Sequence, residues 1–271
     1  MRKSRLNWTA TIFLLALWAR AVSGLAQGDF KEVKGNHFVV FYNEGVGTET
    51  AQTVLRRAEG YYDKIGDQIG YTRYNKFWTW DERAKIIIFA TQASFLANTG
   101  MPAWSTGYAN RDSQLFKSKV IMTYQQEADF YDGLLPHEIS HLIMHDFAPK
   151  ERVPIWFDEG VAQLWEADKS DVARTLMRIL VEKNKYIDFS VLMGWDIREE
   201  KDPNKVKIFY AQSLSVVEFL IKQYGNEAFG RLCRYLHDGK SFDEAIHLTY
   251  PGVDSFKDLQ GKWASYSRTG N

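Results

Sequence analysis

Two histidines and a glutamate in this chain have the types and the spacing of a metal site with an adjacent base. His137 and His141 stand four positions apart in the stretch PHEISH, and Glu138 directly follows the first histidine. Positions four apart on an α-helix point from one face, so both imidazoles can bind one divalent cation. Glu138 points about 100° further round the helix, where a carboxylate can serve as a base without being a ligand. The alternative is a polar helix face with hydrogen-bonded histidines.

A third ligand is expected, because catalytic zinc sites usually have three protein ligands and one open position. Seventeen residues separate His141 from Glu159, which lies in the stretch PIWFDEGVAQLWE. Pro154 suits the start of a helix, so Glu159 is predicted on a second helix that crosses the first. We expect Gly160 to let this second helix pack closely against the helix of the two histidines. Together the two stretches predict a zinc site with two histidines and one glutamate.

Groups that orient the ligand histidines are harder to read from the sequence. A histidine bound to zinc normally donates its other ring N–H to a carboxylate or a carbonyl group. Asp158 and Glu166 are candidates for this role, although carboxylates at such positions are more often solvated. His145 lies one turn after His141, but it points further round the helix, and we expect it to face solvent or the core.

The stretches HEISH and WFDEGVA resemble the gluzincin clan of zinc metallopeptidases, and the match is closest to peptidase MA-like domains. These domains are distant relatives of aminopeptidase N, leukotriene hydrolase and thermolysin. The resemblance implies that His137, His141 and Glu159 bind one Zn²⁺ per chain, with Glu138 as the general base. It also implies a tyrosine that stabilises the oxyanion from a later helix, and Tyr210 in FYAQSLSVVEFLIKQYG stands in the expected context. The alternative for Tyr210 is an aromatic residue of the core or of a helix start.

The chain departs from the family pattern at two places. The resemblance makes STGYANR the edge strand that pairs with the substrate backbone, with Gly107 and Ala109 keeping the approach open. Aminopeptidases have a glutamate near this strand that anchors the substrate's amine, whereas residues 110–112 here are Asn, Arg and Asp. Thermolysin-like sites have a carboxylate one turn after the ligand glutamate, where this chain has Gln163. The missing amine anchor favours an endopeptidase or a narrow-specificity peptidase over an aminopeptidase.

Two other functions stay open at this level. A chain of this family can be a catalytically silent binding or scaffold module, although the complete HEISH pentapeptide counts against that interpretation. The same zinc chemistry can also hydrolyse a non-peptide amide or ester, because the pentapeptide carries no information about the substrate.

The elements that must position these residues change character near Gly133. Before it, the segments HFVVFYN, AKIIIFA, TGYANR and QLFKSKVIMTY are predicted as strands, because they are apolar or rich in β-branched and aromatic residues. Helices are predicted over residues 49–70 and over TQASFLAN. After Gly133 the apolar spacing is helical almost to the end of the chain.

We predict an α+β protein with a zincin-like fold that forms a single peptidase MA-like domain. Its N-terminal lobe, residues 30–130, mixes strands and helices around a small sheet, and its lobe of residues 131–271 is mostly helical. The active site is predicted between the two lobes.

The N-terminus and the charge balance predict where the protein works and what it binds. Residues 1–26 combine basic residues, the short apolar run WTATIFLLALWA and small residues, as a signal peptide does. We therefore expect a secreted or periplasmic protein that contacts a membrane only if this segment stays uncleaved. Lys plus Arg and Asp plus Glu both number 34, and no basic tract stands out, which argues against nucleic acid as a partner. The expected partner is a peptide or protein substrate.

Overall fold

A computed structural model describes residues 30–71, 78, 80–101, 107–113, 118–125 and 130–269. The predicted signal peptide lies outside this range. Within the described residues, no helix is long and apolar enough to cross a membrane. The described range includes both stretches from which the metal site is predicted.

A five-stranded mixed sheet forms the N-terminal part of the fold. Its strands are β1 (Lys31–Lys34), β2 (Phe38–Tyr42), β3 (Ala84–Phe89), β4 (Gly107–Ser113) and β5 (Ser118–Tyr124). They lie in the order β1-β2-β3-β5-β4, and pairing is parallel on both sides of β3 and antiparallel for the outer pairs. Strands β4 and β5 are neighbours, and β4 lies at one edge of the sheet. The short strand β1 is not predicted from the sequence.

Helices cover both faces of the sheet, which explains why β3 is apolar at every position except Lys85. Helix α1 (Thr48–Ile69) packs against β2, and the short helix α2 (Gln92–Thr99) packs on β5 and β3. Ile86 and Ile88 belong to the main core, whereas Ile87 and Phe89 join a smaller cluster with Phe95 of α2. Alternate residues of β3 therefore point into two different apolar layers.

The described chain after residue 130 is helical apart from its connections. Its α-helices are α3 (Leu135–Phe147), α4 (Ile155–Gln163), α5 (Lys169–Glu182), α6 (Phe189–Leu192), α7 (Pro203–Tyr224), α8 (Asn226–His237), α9 (Phe242–Thr249) and α10 (Phe256–Thr269). A π-helical turn over Phe130–Leu134 leads directly into α3. A small sheet followed by a helical remainder is the predicted α+β, zincin-like class, and the structure confirms it.

Helix α4 is held between α3 and the long, buried helix α7. A Cβ atom at Gly160 of α4 would lie 2.5 Å from the carbonyl oxygen of Ser213 and 2.7 Å from Cγ2 of Val217, both on α7. The missing side chain therefore brings α4 against α7. The prediction that Gly160 serves the packing of α4 on α3 is wrong, because the glycine faces the opposite neighbour.

Candidate active site

Helix α3 presents the two histidines because its apolar residues fix the rotation of the helix. Leu135, Ile139 and Leu142 are buried in the main core, and Pro136 lies in the first turn, where a missing N–H costs nothing. The turns that remain outside the core carry His137, Glu138 and His141, whose side chains are half-buried.

Three side chains from α3 and α4 converge on one point. Nε2 of His137 and Nε2 of His141 lie 3.0 Å apart. Oε2 of Glu159 lies 3.6 Å from the first of these nitrogens and 3.8 Å from the second. Ligand atoms held at about 2.0–2.1 Å around a tetrahedral zinc are separated by about 3.3 Å. The three residues predicted as ligands thus form a triangle of the size that zinc requires.

The charges around this triangle also fit a cation. Burial lowers the pKa of His141, but the carboxylates of Asp158, Glu159 and Glu138 outweigh this effect and raise it to about 10. Burial raises the pKa of Glu159, against the attraction of the two histidines. Buried carboxylates are stable only with positive charge nearby, and nitrogen with oxygen ligands is a donor set that zinc prefers. The residues therefore fit one zinc ion.

His137 is oriented by Glu166, which lies between α4 and α5. Its Nδ1 is 2.8 Å from Oε1 of Glu166, and Oε2 of that carboxylate lies 3.4 Å from Nζ of Lys169. Burial raises the pKa of Glu166, but the hydrogen bond from His137 and the charge of Lys169 lower it overall. Glu166 is thus one of the two candidate partners named from the sequence, and it contacts His137 rather than being solvated. The segment after α4 is held close to the start of α3, because the amide of Ala167 donates a hydrogen bond to the carbonyl of Asp132 at 2.8 Å.

His141 is oriented from the other side by Asp158 of α4. Its Nδ1 lies 3.0 Å from Oδ2 of Asp158, and Nε2 of His145 lies 2.7 Å from the same oxygen. Burial raises the pKa of Asp158, but the two histidines bring it well below its usual range. Asp158 is therefore a buried anion, and His145 contacts it instead of facing solvent or the apolar core.

The triangle lies in a cavity of about 630 Å³. Besides the three candidate ligands, the cavity is lined by the other residues predicted for the site: Glu138, Tyr210, Gly107 and Ala109. Elements from both parts of the fold supply this lining, namely β4 from the sheet and α3, α4, α5 and α7 from the helical part. The position agrees with the predicted placement between a strand-containing lobe and a helical lobe.

A family model for the peptidase MA superfamily matches residues 84–268. The chain belongs to this superfamily. The match begins at β3 and ends within α10, so it includes the whole cavity lining. A comparison with curated proteins finds no protein that matches this chain. Membership of the peptidase MA superfamily supports a peptidase-like function.

Tyr210 of this peptidase MA domain is linked to the candidate ligand Glu159 through Gln163. Nε2 of Gln163 donates to the backbone oxygen of Tyr210 at 3.0 Å and to that of Glu159 at 3.2 Å. Gln163 stands where thermolysin-like sites have a carboxylate, and here its amide joins α4 to α7. The sequence shows the departure but not this role. The only sequence signal is the amide itself, which can donate a hydrogen bond where a carboxylate cannot.

The phenol of Tyr210 is held in its protonated form. Burial raises its pKa, and the carboxylates of Glu159, Glu166 and Glu138 raise it further. A phenol with a raised pKa carries its proton at neutral pH and can donate a hydrogen bond into the cavity. This is the property that the predicted oxyanion role requires.

Gly107 has a packing role in the peptidase MA fold that the sequence does not reveal. A Cβ atom at this position would lie 2.8 Å from Cδ2 of Leu134, the residue that precedes α3. The glycine therefore lets β4 approach the start of the metal-site helix. Ala109, two residues further along β4, also lines the cavity.

Proposed function

We propose that this protein is an exported, zinc-dependent peptidase with His137, His141 and Glu159 as zinc ligands and Glu138 as general base. The observation that carries the proposal is the triangle of ligand atoms in a cavity that Glu138 and Tyr210 also line. Two histidines that bound no metal would not need a glutamate from a second helix opposite them.

The chain's own residues provide the remaining chemistry of peptide hydrolysis. When bound, zinc supplies Lewis acidity and an activated water at neutral pH. Glu138 accepts the proton of the attacking water and then donates it to the amine nitrogen of the leaving group. The hydroxyl of Tyr210 donates a hydrogen bond to the carbonyl oxygen as negative charge develops there. Both side chains must therefore face the same substrate carbonyl.

The lining of the cavity favours an endopeptidase. An aminopeptidase needs a carboxylate that is free to bind the substrate's terminal amine. Among the described lining residues, Glu138 and Glu159 belong to the metal centre, and Glu166 is held by His137 and Lys169. A substrate that extends in both directions along the edge strand β4 needs no such anchor.

The proposed substrate is a peptide or a protein outside the cytosol. The sequence of residues 1–26 supports export, and the formal net charge of zero disfavours nucleic acid. A membrane is proposed as a contact only through an uncleaved signal segment.

Metal analysis combined with a peptide library tests this function. We expect one zinc per chain in the wild type, and cleavage that Glu138→Gln reduces by about 10²–10⁴-fold while zinc is retained. Glu159→Ala should lose zinc. Glu227→Gln on α8 is the matched control, because this glutamate is exposed and lies outside the cavity lining.

Three outcomes would contradict the proposal. Wild type without stoichiometric zinc would refute the assignment of the ligands. Zinc without cleavage of any peptide would indicate a binding module, and cleavage of esters or other amides alone would indicate a different hydrolase. If Tyr210→Phe keeps wild-type turnover instead of losing about 10²–10³-fold, another group stabilises the oxyanion.

A further inference from the structure

The support of His141 does not end at a carboxylate but continues to a third side chain. His141 and His145 lie one turn apart on α3, and their rings are stacked with centroids 5.8 Å apart. Both rings face Oδ2 of Asp158, at 3.0 Å from Nδ1 of His141 and 2.7 Å from Nε2 of His145. The three side chains are between 13% and 21% exposed, so water competes little for these contacts.

Helix α4 holds His141 on both of its nitrogens. Glu159 faces Nε2 of His141, and the preceding residue, Asp158, faces Nδ1. Because an ionised carboxylate only accepts hydrogen bonds, Asp158 at 3.0 Å favours a proton on Nδ1, whereas Glu159 lies 3.8 Å from Nε2, beyond hydrogen-bond distance. A proton on Nδ1 of His141 leaves the lone pair of Nε2 for a metal. The tautomer of His141 therefore depends on where the carboxylate of Asp158 lies.

We propose that His145 is a positioning residue for the metal centre. Its Nε2–H fixes the carboxylate of Asp158, and Asp158 in turn fixes the ring and the tautomer of His141. This inference rests on the proposed zinc site and adds a residue that contacts neither the metal nor the substrate. The proposed action of His145 runs through its hydrogen bond to Asp158.

A second metal ion is the competing explanation, because His141, His145 and Asp158 also bring three ligand atoms close together. The 2.7 Å between Nε2 of His145 and Oδ2 of Asp158 is a hydrogen-bond distance, well below the roughly 3.3 Å between ligand atoms around zinc. A second ion would also make His141 bridge two dications with one aspartate as the added negative charge. The contacts therefore favour a hydrogen bond between His145 and Asp158, with Asp158 paired to His141 at ion-pair distance, over a second metal ion.

A histidine–glutamate pair elsewhere in the protein provides a matched control. Nδ1 of His37 lies 2.6 Å from Oε2 of Glu59, with the two side chains 17% and 22% exposed. This pair has the chemistry and burial of the contact between His145 and Asp158, but it joins the start of β2 to α1 and lies outside the cavity lining. Its loss should affect the fold without affecting the metal.

Four variants separate positioning from general packing: His145→Leu, His145→Gln, His145→Asn and His37→Leu. A glutamine amide can reach the position of Nε2 and still donate to Asp158, whereas leucine has no donor and asparagine is too short. Each purified protein is compared with wild type for zinc affinity by chelator competition. The visible spectrum and stoichiometry of the cobalt(II) form and the thermal melting of the metal-free protein complete the measurements.

We expect His145→Leu and His145→Asn to weaken zinc binding about 10-fold or more and to change the cobalt spectrum. His145→Gln should stay within about 3-fold of wild type and keep the spectrum. His37→Leu should lower the melting temperature and leave both metal readouts unchanged. If His145→Leu does not fold, the difference between glutamine and asparagine decides the matter.

The results that overturn the inference differ from those that overturn the proposed function. Wild type that binds neither ion overturns both. Wild type that binds one ion per chain overturns the inference alone if the folded leucine and asparagine variants keep its affinity and its cobalt spectrum. Two cobalt ions per wild-type chain, reduced to one by His145→Leu, would also overturn it in favour of a second metal site.

Discussion

The two candidate ligand histidines are each held by a carboxylate that contacts a further basic side chain, and the two arrangements differ in how exposed that outermost side chain is. His137 contacts Glu166, whose other oxygen faces Lys169, a side chain that is 52% exposed. His141 contacts Asp158, which faces His145, a side chain that is 21% exposed. Solvent and salt can replace an exposed lysine at little cost, whereas a buried carboxylate that loses its donor stays unsatisfied. Loss of the contacts that hold His141 should therefore weaken metal binding more than loss of the contacts that hold His137.

The largest effect is expected from Asp158→Ala, which removes the one acceptor that two histidines share. Zinc affinity should decrease by close to 100-fold. Loss of a residue that holds a metal ligand typically costs about 10–100-fold in affinity, and this variant should lie at the upper end. Chelator competition measures the loss. Asp158→Asn keeps an acceptor and the shape of the side chain, so it should lose much less.

Glu166→Ala should have the second largest effect. His137 loses its carboxylate, but Glu166 already contacts the exposed Lys169, so water can reach its place. We expect a fall in zinc affinity of about 10-fold in the same competition assay, with Glu166→Gln as the control that keeps an acceptor. If Glu166→Ala lost more zinc affinity than Asp158→Ala, the contacts of His137 would be the more important ones, contrary to this prediction.

Lys169→Ala should have the smallest effect. Its contact with Glu166 is long, at 3.4 Å, and half of the lysine is exposed, and such pairs contribute about 0–1 kcal/mol. The zinc affinity should change by less than about 5-fold, which corresponds to that energy.

Salt sharpens the contrast between the two outermost residues. In 1 M salt the screening length falls to about 3 Å, so the small deficit of Lys169→Ala should disappear in a salt titration. The deficit of His145→Leu should persist, because its partner is buried. If Lys169→Ala and His145→Leu responded equally to salt, the difference in burial between their contacts would have no effect on metal binding.

The local elements around the site could be predicted because short-range patterns specify them. The strand β3 is a largely apolar run, and α3 has buried residues such as Ile139 and Leu142 at helical spacing. Four-residue spacing puts His137 and His141 on one helix face in any context. The helix that follows Pro154 could be predicted in the same way, with Glu159 inside it.

The outer contacts could not be predicted because they depend on how helices cross. Whether Glu166 meets His137 depends on the return of the chain after α4, which the contact of Ala167 with Asp132 fixes. The direction of Gly160 depends on whether α3 or α7 is its nearest neighbour, and both helices contact α4. The spacing of residues in the sequence shows neither the approach of Glu166 to His137 nor the helix that Gly160 faces.

The sequence by itself determined the class of fold, the two stretches of the candidate metal site and the choice of residue types that can bind zinc. These follow from helical periodicity and from side-chain chemistry, which act within a few residues of each other. The tertiary structure decided the separations within the triangle of His137, His141 and Glu159, the role of Gln163 and the contact of His145 with Asp158. Those features arise where separate helices meet, and close packing of large side chains, not local sequence, sets the distance and rotation of one helix against another.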